Sequence, residues 1–295
     1  MGEKINNSRL LEKHLYPYRN FQYDLLRRVD HSEISTGATV PIQWIIENIP
    51  NASTVLNVGC GVGEKTYKLA KEIKKQLSNI QVVGIDINER AIEKAKSEYN
   101  LDNLSFMVED ANSVFLTASG SIFEDGVSTV VAEGLFCNLI GINAGRVANQ
   151  LTEMVKLSGS LWIADCLRVD DKKTEEMVKE KMEWSDEKFK EWQNKWMKRY
   201  EVNESIGLDN GTFWVMPLGV DKILEFGNAD KIKKLMISGQ VERMARHYSR
   251  EEFELLTQIN GMKISRWENK VWLSRTGEPI MGMIVKLEKQ PLYFS

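Results

Sequence analysis

Three glycines fall within five residues in the run Val58-Gly59-Cys60-Gly61-Val62-Gly63, directly after Val55-Leu56-Asn57, where Asn57 is the one polar residue. A turn so poor in side chains lets backbone approach a ligand closely and can expose amide donors at a helix N-terminus. The spacing is GxGxG, not the GxGxxG of dinucleotide sites, and position 64 is Glu, whose carboxylate would oppose a pyrophosphate. No Gly-Lys-Ser/Thr ending stands where a phosphate-binding P-loop needs it. Asp86, closing the apolar run QVVGIDI roughly twenty residues further on, can accept hydrogen bonds from both hydroxyls of a ribose. Asp110, in Glu109-Asp110-Ala111, can accept from an adenine amino group beside the apolar Ile87 and Val108. Together these residues describe an adenosine site without phosphate.

Proton-transfer candidates are few. The chain has three histidines, His14, His31 and His247. His247, in ARHYSREEF, is the expected base if an acceptor hydroxyl or protonated amine must lose a proton. Glu133, ending the apolar VSTVVAEG, is the second catalytic candidate, able to orient an amine or take a proton; Asp165 is a weaker one. Cys60 stands beside a predicted helix N-terminus, which can activate a thiol, but no base partner can be named, so it reads as a small turn residue. Cys60, Cys137 and Cys166 lack CxxC or Cys/His spacing, arguing against a disulfide framework or structural zinc, and no carboxylate set has Mg²⁺ spacing. Metal-independent chemistry in a reducing compartment is expected.

The elements that must position these groups follow from periodicity. STVLNV, QVVGIDI, LSFMVEDA, VSTVVAEG and SLWIADCL read as five strands. Between them EKTYKLAKEIKKQL, ERAIEKAKSEYN and AGRVANQLTEMVKL carry apolar residues at helical spacing. Alternation of this kind predicts an α/β fold with a parallel sheet, which binds ligands beyond the carboxyl ends of its strands.

The motifs VLNVGCGVG, VVGIDI and VEDA, in this order and followed by SLWIAD, resemble those of the class I S-adenosylmethionine-dependent methyltransferases. The resemblance covers roughly residues 50 to 167 and resumes near residue 248. It implies a Rossmann-like, seven-stranded, mostly parallel sheet with helices on both faces, and S-adenosyl-L-methionine as cofactor, leaving as S-adenosyl-L-homocysteine. The cofactor-binding positions it implies are Asn57, Gly59, Cys60, Gly61, Gly63, Asp86, Ile87, Asp110 and Ala111. At Asn57 the family usually carries Asp or Glu, which helps organise the methionine end of the cofactor; Asn offers an acceptor oxygen but no charge. The family's turn before the fifth strand appears here as KLSGS.

Four regions are expected: an N-terminal helical lid (1–50), the cofactor-binding core (51–168), an inserted helical and aromatic cap (169–246), and a closing helix and β-hairpin (247–295). Ser249 and Glu252 form a capping-box pattern for that helix, and Gly277-Glu278-Pro279 marks the hairpin turn. In the insert, Phe189, Trp192, Trp196 and Tyr200 would form one stripe on a helix, read first as a packing face and second as the inner surface of a cap. Phe213, Trp214 and Met216 lie between glycines and a proline without helical spacing and read as pocket lining. Tyr16, Tyr18 and Tyr23 in the lid, and Phe136 after the fourth strand, complete the expected substrate-binding set.

Composition limits the partners. With 295 residues, 42% hydrophobic, a net charge of -3 and a pI near 5.8, the chain buries a sizeable core and offers no broad basic face for nucleic acid. The charged N-terminus lacks a secretory apolar stretch, and no run reaches the roughly 18 apolar residues of a membrane span. The expectation is a cytoplasmic methyltransferase acting on N, O or C of a small molecule in specialised metabolism, with a homodimer compatible. The alternatives are a protein or peptide methyltransferase and a noncatalytic adenosine-binding protein of the same fold.

Overall fold

The structure, a computed structural model, describes residues 37–289 except 51–52, 78, 113–125, 140–141, 168, 170, 195–211, 216–243, 260–261, 274–276 and 278. Its strands are β1 (Thr54–Val58), β2 (Gln81–Asp86), β3 (Leu104–Val108), β4 (Val127–Glu133), β5 (Val155–Cys166), β6 (Thr212–Val215), β7 (Met244–His247), β8 (Met262–Leu273) and β9 (Pro279–Lys289). Seven of them form one sheet in the order β3-β2-β1-β4-β5-β9-β8, parallel through β5 and closed by the antiparallel β9 and β8. The order reverses between β1 and β4, which places the ligand crevice of this architecture at their carboxyl ends.

Both faces of the sheet are covered, which is why its central strands read as unbroken apolar runs. On one face Leu56, Val58, Val130 and Ile163 pack with α4 (Ile142–Met154), α5 (Lys172–Met182) and α6 (Arg250–Ile259). On the other, Val55, Val82, Val131 and Trp162 pack with α1 (Ile42–Ile46) and with Leu69, Ala70 and Ile73 of α2 (Glu64–Gln76). The predicted apolar stripe of α2 is the buried one. Against β3, α3 (Glu89–Glu98) encloses Phe106 between Ile92 and Ala95. The capping box of α6 forms as the sequence predicts: Glu252 N donates to Ser249 Oγ at 3.1 Å, and Ser249 N to Glu252 Oε2 at 2.8 Å.

One local expectation changes. The segment read as a helix end and a turn, Val155 to Ser160, belongs to β5, with Val155 already paired to Val127 and a register shift before Thr129 and Ser160. Gly159 permits it: a Cβ there would stand 2.8 Å from the Ser128 carbonyl. α5 ends at Glu183 in a left-handed conformation (φ 54°), and a second helical run, 186–194, carries both Phe189 and Trp192 of the aromatic stripe. Phe189 and Trp192 are buried in the main core beside Trp184, so the packing reading holds for these two; Trp196 and Tyr200 lie outside the described residues.

The insert also contributes strand structure. β6 and β7 pair antiparallel with Thr212 opposite His247, and Tyr248 bridges to Leu167 beyond the end of β5. Among the described residues, no helix is long and apolar enough to cross a membrane.

Candidate active site at the carboxyl edge of the sheet

All three glycines of the turn adopt positive φ, and Gly63 caps α2 at φ 82°. Gly63 is also closely packed, since a Cβ there would lie 2.7 Å from the Phe106 ring and 2.8 Å from Ala95 Cβ. Gly84 on β2 is the second position made bare for Phe106: its Cβ would meet that ring at 2.7 Å and Cys60 Sγ at 3.0 Å. Sequence reasoning missed Phe106 and Gly84; the turn keeps its shape by wrapping an aromatic ring on an adjacent strand.

The turn's amides are committed within the protein. Gly59 N and Cys60 N both donate to the Ile85 carbonyl, at 2.8 and 2.9 Å, and Gly63 N donates to Cys60 O at 3.1 Å. Gly61 N donates to Asp86 Oδ2 at 2.8 Å. The expected row of open amide donors is therefore closed at these four positions, which suits a ligand carrying no phosphate there. Asp86, only 6% exposed, also accepts Asn88 N on Oδ1 at 2.9 Å, and Asn88 in turn caps α3 through Ala91 N. Backbone donors thus hold the carboxylate rigidly at the β2 end. A carboxylate oxygen accepts more than one hydrogen bond, so anchoring and ribose binding are compatible.

At the next strand end Asp110 Oδ1 accepts from Asn112 N at 2.8 Å, fixing a tight turn. Val108 is 46% exposed beside it, an apolar surface of the kind a purine ring covers. Ile87 and Ala111 are half-buried in the same strand-end loops. The donor set fits the adenosine half of S-adenosylmethionine: carboxylates for hydroxyl and amino hydrogens, apolar surface for the base, and no anion cradle. The Cys60 thiol is pushed well above its usual value by burial and by the Asp86 charge, so it stays protonated and acts as a small residue.

Asn57 lies near the carboxyl end of β1. It is buried, and its Nδ2 donates to Thr66 Oγ1 at 3.0 Å, tying β1 to α2. The charged group at this edge is Glu133. The register Val58 to Ala132 sets Gly59 and Glu133 next to each other. Glu133 Oε1 accepts Val40 N at 2.6 Å and Thr39 Oγ1 at 3.0 Å, and Lys65 Nζ lies 3.6 Å from Oε2. Lys65 Nζ also donates to the Ala38 carbonyl. A strap of residues 37–40 is thereby fastened across the ends of β4 and α2. No local pattern announces it, because its partners are separated by |i−j| of 93 and 94.

On the acceptor side, Asp165 is fully buried and accepts Phe136 N at 2.7 Å on Oδ2, and Cys137 N at 3.0 Å and Cys166 N at 2.8 Å on Oδ1. Burial raises its carboxyl to about 6, opposed by those backbone donors. Cys137, Asp165 and Cys166 approach within 4.8 Å of one another. With three N–H groups aimed at the carboxylate, this is an anion cradle fixing the turn at Phe136–Asn138, and a cation there would oppose those donors. Asp165, weighed as a base, has both carboxylate oxygens engaged by backbone donors.

Phe136, expected to touch substrate, is a correction: its side chain is fully buried against Phe253, with ring centroids 6.0 Å apart, and it forms core. Its carbonyl accepts from Tyr248 Oη at 3.3 Å, while Tyr248 N donates to Cys166 O at 3.3 Å. His247 is buried next to it, with Nδ1 3.3 Å from the Leu167 carbonyl. Phe213 and Trp214 lie on β6, paired to Arg246 and Ala245. Tyr16, Tyr18, Tyr23 and Met216 lie outside the described residues.

Comparison with known proteins agrees with this geometry. A family model described as a methyltransferase domain matches residues 49–226. A SAM-dependent methyltransferase from Methanosarcina mazei is similar at 18% identity and TM-score 0.58, covering 86% of this chain and 99% of its own. One from Anabaena variabilis is similar at 10% identity and TM-score 0.52, covering 93% and 94%. No curated protein matches the chain in sequence. With the glycine turn at the β1 end of a seven-stranded sheet, Asp86 and Asp110 at the ends of the next two strands and the family matched over 49–226, the chain belongs to the S-adenosylmethionine-dependent methyltransferases.

Proposed function

We propose that the enzyme transfers a methyl group to N, O or C of a small organic metabolite held between the strand ends and the insert. The observation that supports this reading is the fastening of the insert's exit to the sheet: Tyr248 donates to Cys166 O and to Phe136 O, each at 3.3 Å, which holds the chain against the strand ends where this architecture binds its ligands. Buried Phe189 and Trp192 support a fixed insert. Cytoplasmic residence, specialised metabolism and a homodimer belong to the same proposal; the three free thiols support the first.

When bound, the donor supplies an electrophilic methyl on a sulfonium. Asp86 takes the ribose hydroxyls, Asp110 the adenine amino group, and Val108 with Ile87 the face of the base. Positioning and exclusion of water supply most of the rate in an in-line displacement. For an acceptor that must lose a proton, His247 is the base: a carbonyl can only accept, so Nδ1–H donates to Leu167 and the acceptor nitrogen is Nε2. Glu133, engaged by Val40 and Thr39 and facing a lysine, suits holding positive charge better than taking a proton.

The test is calorimetric titration with S-adenosylhomocysteine, with NADH as control and Asp86→Ala as variant, followed by methyl-label transfer to panels of small amines, phenols and peptides. Binding lost in the variant, with label in small acceptors, is expected. Label in peptides alone overturns the small-molecule reading.

A further inference from the structure

We infer that the Glu133–Lys65 pair is the seat of a zwitterion, the α-ammonium and α-carboxylate of the donor's amino-acid end, and that it replaces the charge Asn57 lacks. The inference rests on the donor reading above. At 3.6 Å the two charges stand beyond good hydrogen-bond distance, so each retains capacity toward a second partner. The Glu133 side chain is only 7% exposed, and a carboxylate so placed gains most from an added cation. Lys65 is more open, its side chain 39% exposed, and sits in the first turn of α2, where amide dipoles also favour a carboxylate.

Placement supports the assignment from a second direction. Glu133 is next to Gly59 across the β1–β4 register, while Asp86 receives Gly61 N on the β2 side of the same turn. A ligand whose ribose is held at Asp86 and which runs over the glycines toward β4 ends at Glu133 and Lys65. The buried Asn57 meanwhile serves Thr66, so no carboxylate competes from β1. Thr39 and Val40 pre-orient the Glu133 carboxylate through Oε1 and leave Oε2 facing Lys65.

Two probes that share the adenosine and differ in the amino-acid end decide it: S-adenosylhomocysteine and 5′-methylthioadenosine, titrated into the full chain and into Glu133→Gln, Lys65→Gln and Thr39→Ala, each checked for an unchanged melting transition. Glu133→Gln and Lys65→Gln should each weaken S-adenosylhomocysteine by tenfold or more while methylthioadenosine changes less than twofold, and Thr39→Ala should alter neither by more than a few-fold. Equal weakening of both probes by Glu133→Gln would make the pair a clamp for the strap and overturn the inference, as would no weakening of either. If the wild-type protein bound neither probe, the donor reading itself would fall and take this inference with it; binding of methylthioadenosine alone would overturn the inference and leave the adenosine site standing.

Discussion

The Phe106 ring lies where a Cβ on Gly63 would stand, 2.7 Å away, so the last glycine of the cofactor turn is defined by an aromatic side chain on a different strand. Gly63→Ala combines a left-handed backbone with that overlap and should destabilise the fold by about 2–4 kcal/mol, read by urea denaturation. Adding Phe106→Leu should return part of the loss, and a purely additive double variant would show that the ring is not the obstacle.

Asp165 sets a pH dependence whose sign can be worked out. Its folded carboxyl is raised to about 6 against 3.8, so the folded state binds more protons between those values and stability falls as pH rises through that window. Two pH units correspond to about 3 kcal/mol. Asp165→Asn keeps one acceptor oxygen but turns an amide toward the backbone donors and removes the titration. The variant should be the less stable protein, with a gap to wild type wider at pH 4 than at pH 7; a gap independent of pH would refute the assignment.

Restoring the family's usual acid at position 57 should not help. Asn57 is 4% exposed and bonded to Thr66, so Asn57→Asp buries a charge with one hydroxyl partner. A loss of about 1–3 kcal/mol at neutral pH is expected, with no gain in S-adenosylhomocysteine affinity by calorimetry.

Across the closing hairpin, a Cβ on Gly282 would fall 1.6 Å from the Trp272 ring. Gly282→Ala should cost about 2–4 kcal/mol, and pairing it with Trp272→Leu should show a favourable coupling in a double-mutant cycle.

His247→Gln should lower kcat for a proton-losing acceptor by about 10²-fold or more while donor affinity stays unchanged. The limb of the pH–rate profile that a histidine base produces should vanish with it. An unaltered profile would move the proton transfer elsewhere.

Alternating patterns were sufficient for the architecture. The apolar runs, helical stripes, glycine turn and strand-end carboxylates are each local, so the succession of five strands and their helices, the capping box at Ser249 and the positions of Asp86 and Asp110 at strand ends could be read directly from the chain. What only tertiary structure decided depends on residues far apart in sequence. Phe106 beneath Gly63, Thr39 and Lys65 around Glu133, and three amides around Asp165 meet because the sheet brings strand ends together. The same cause moved Phe136 from expected substrate contact into the core, since an aromatic residue after a strand looks alike in sequence whether it lines a pocket or fills one. Type and spacing name the groups a site can use; burial and partners, which are sums over the whole fold, assign each its task.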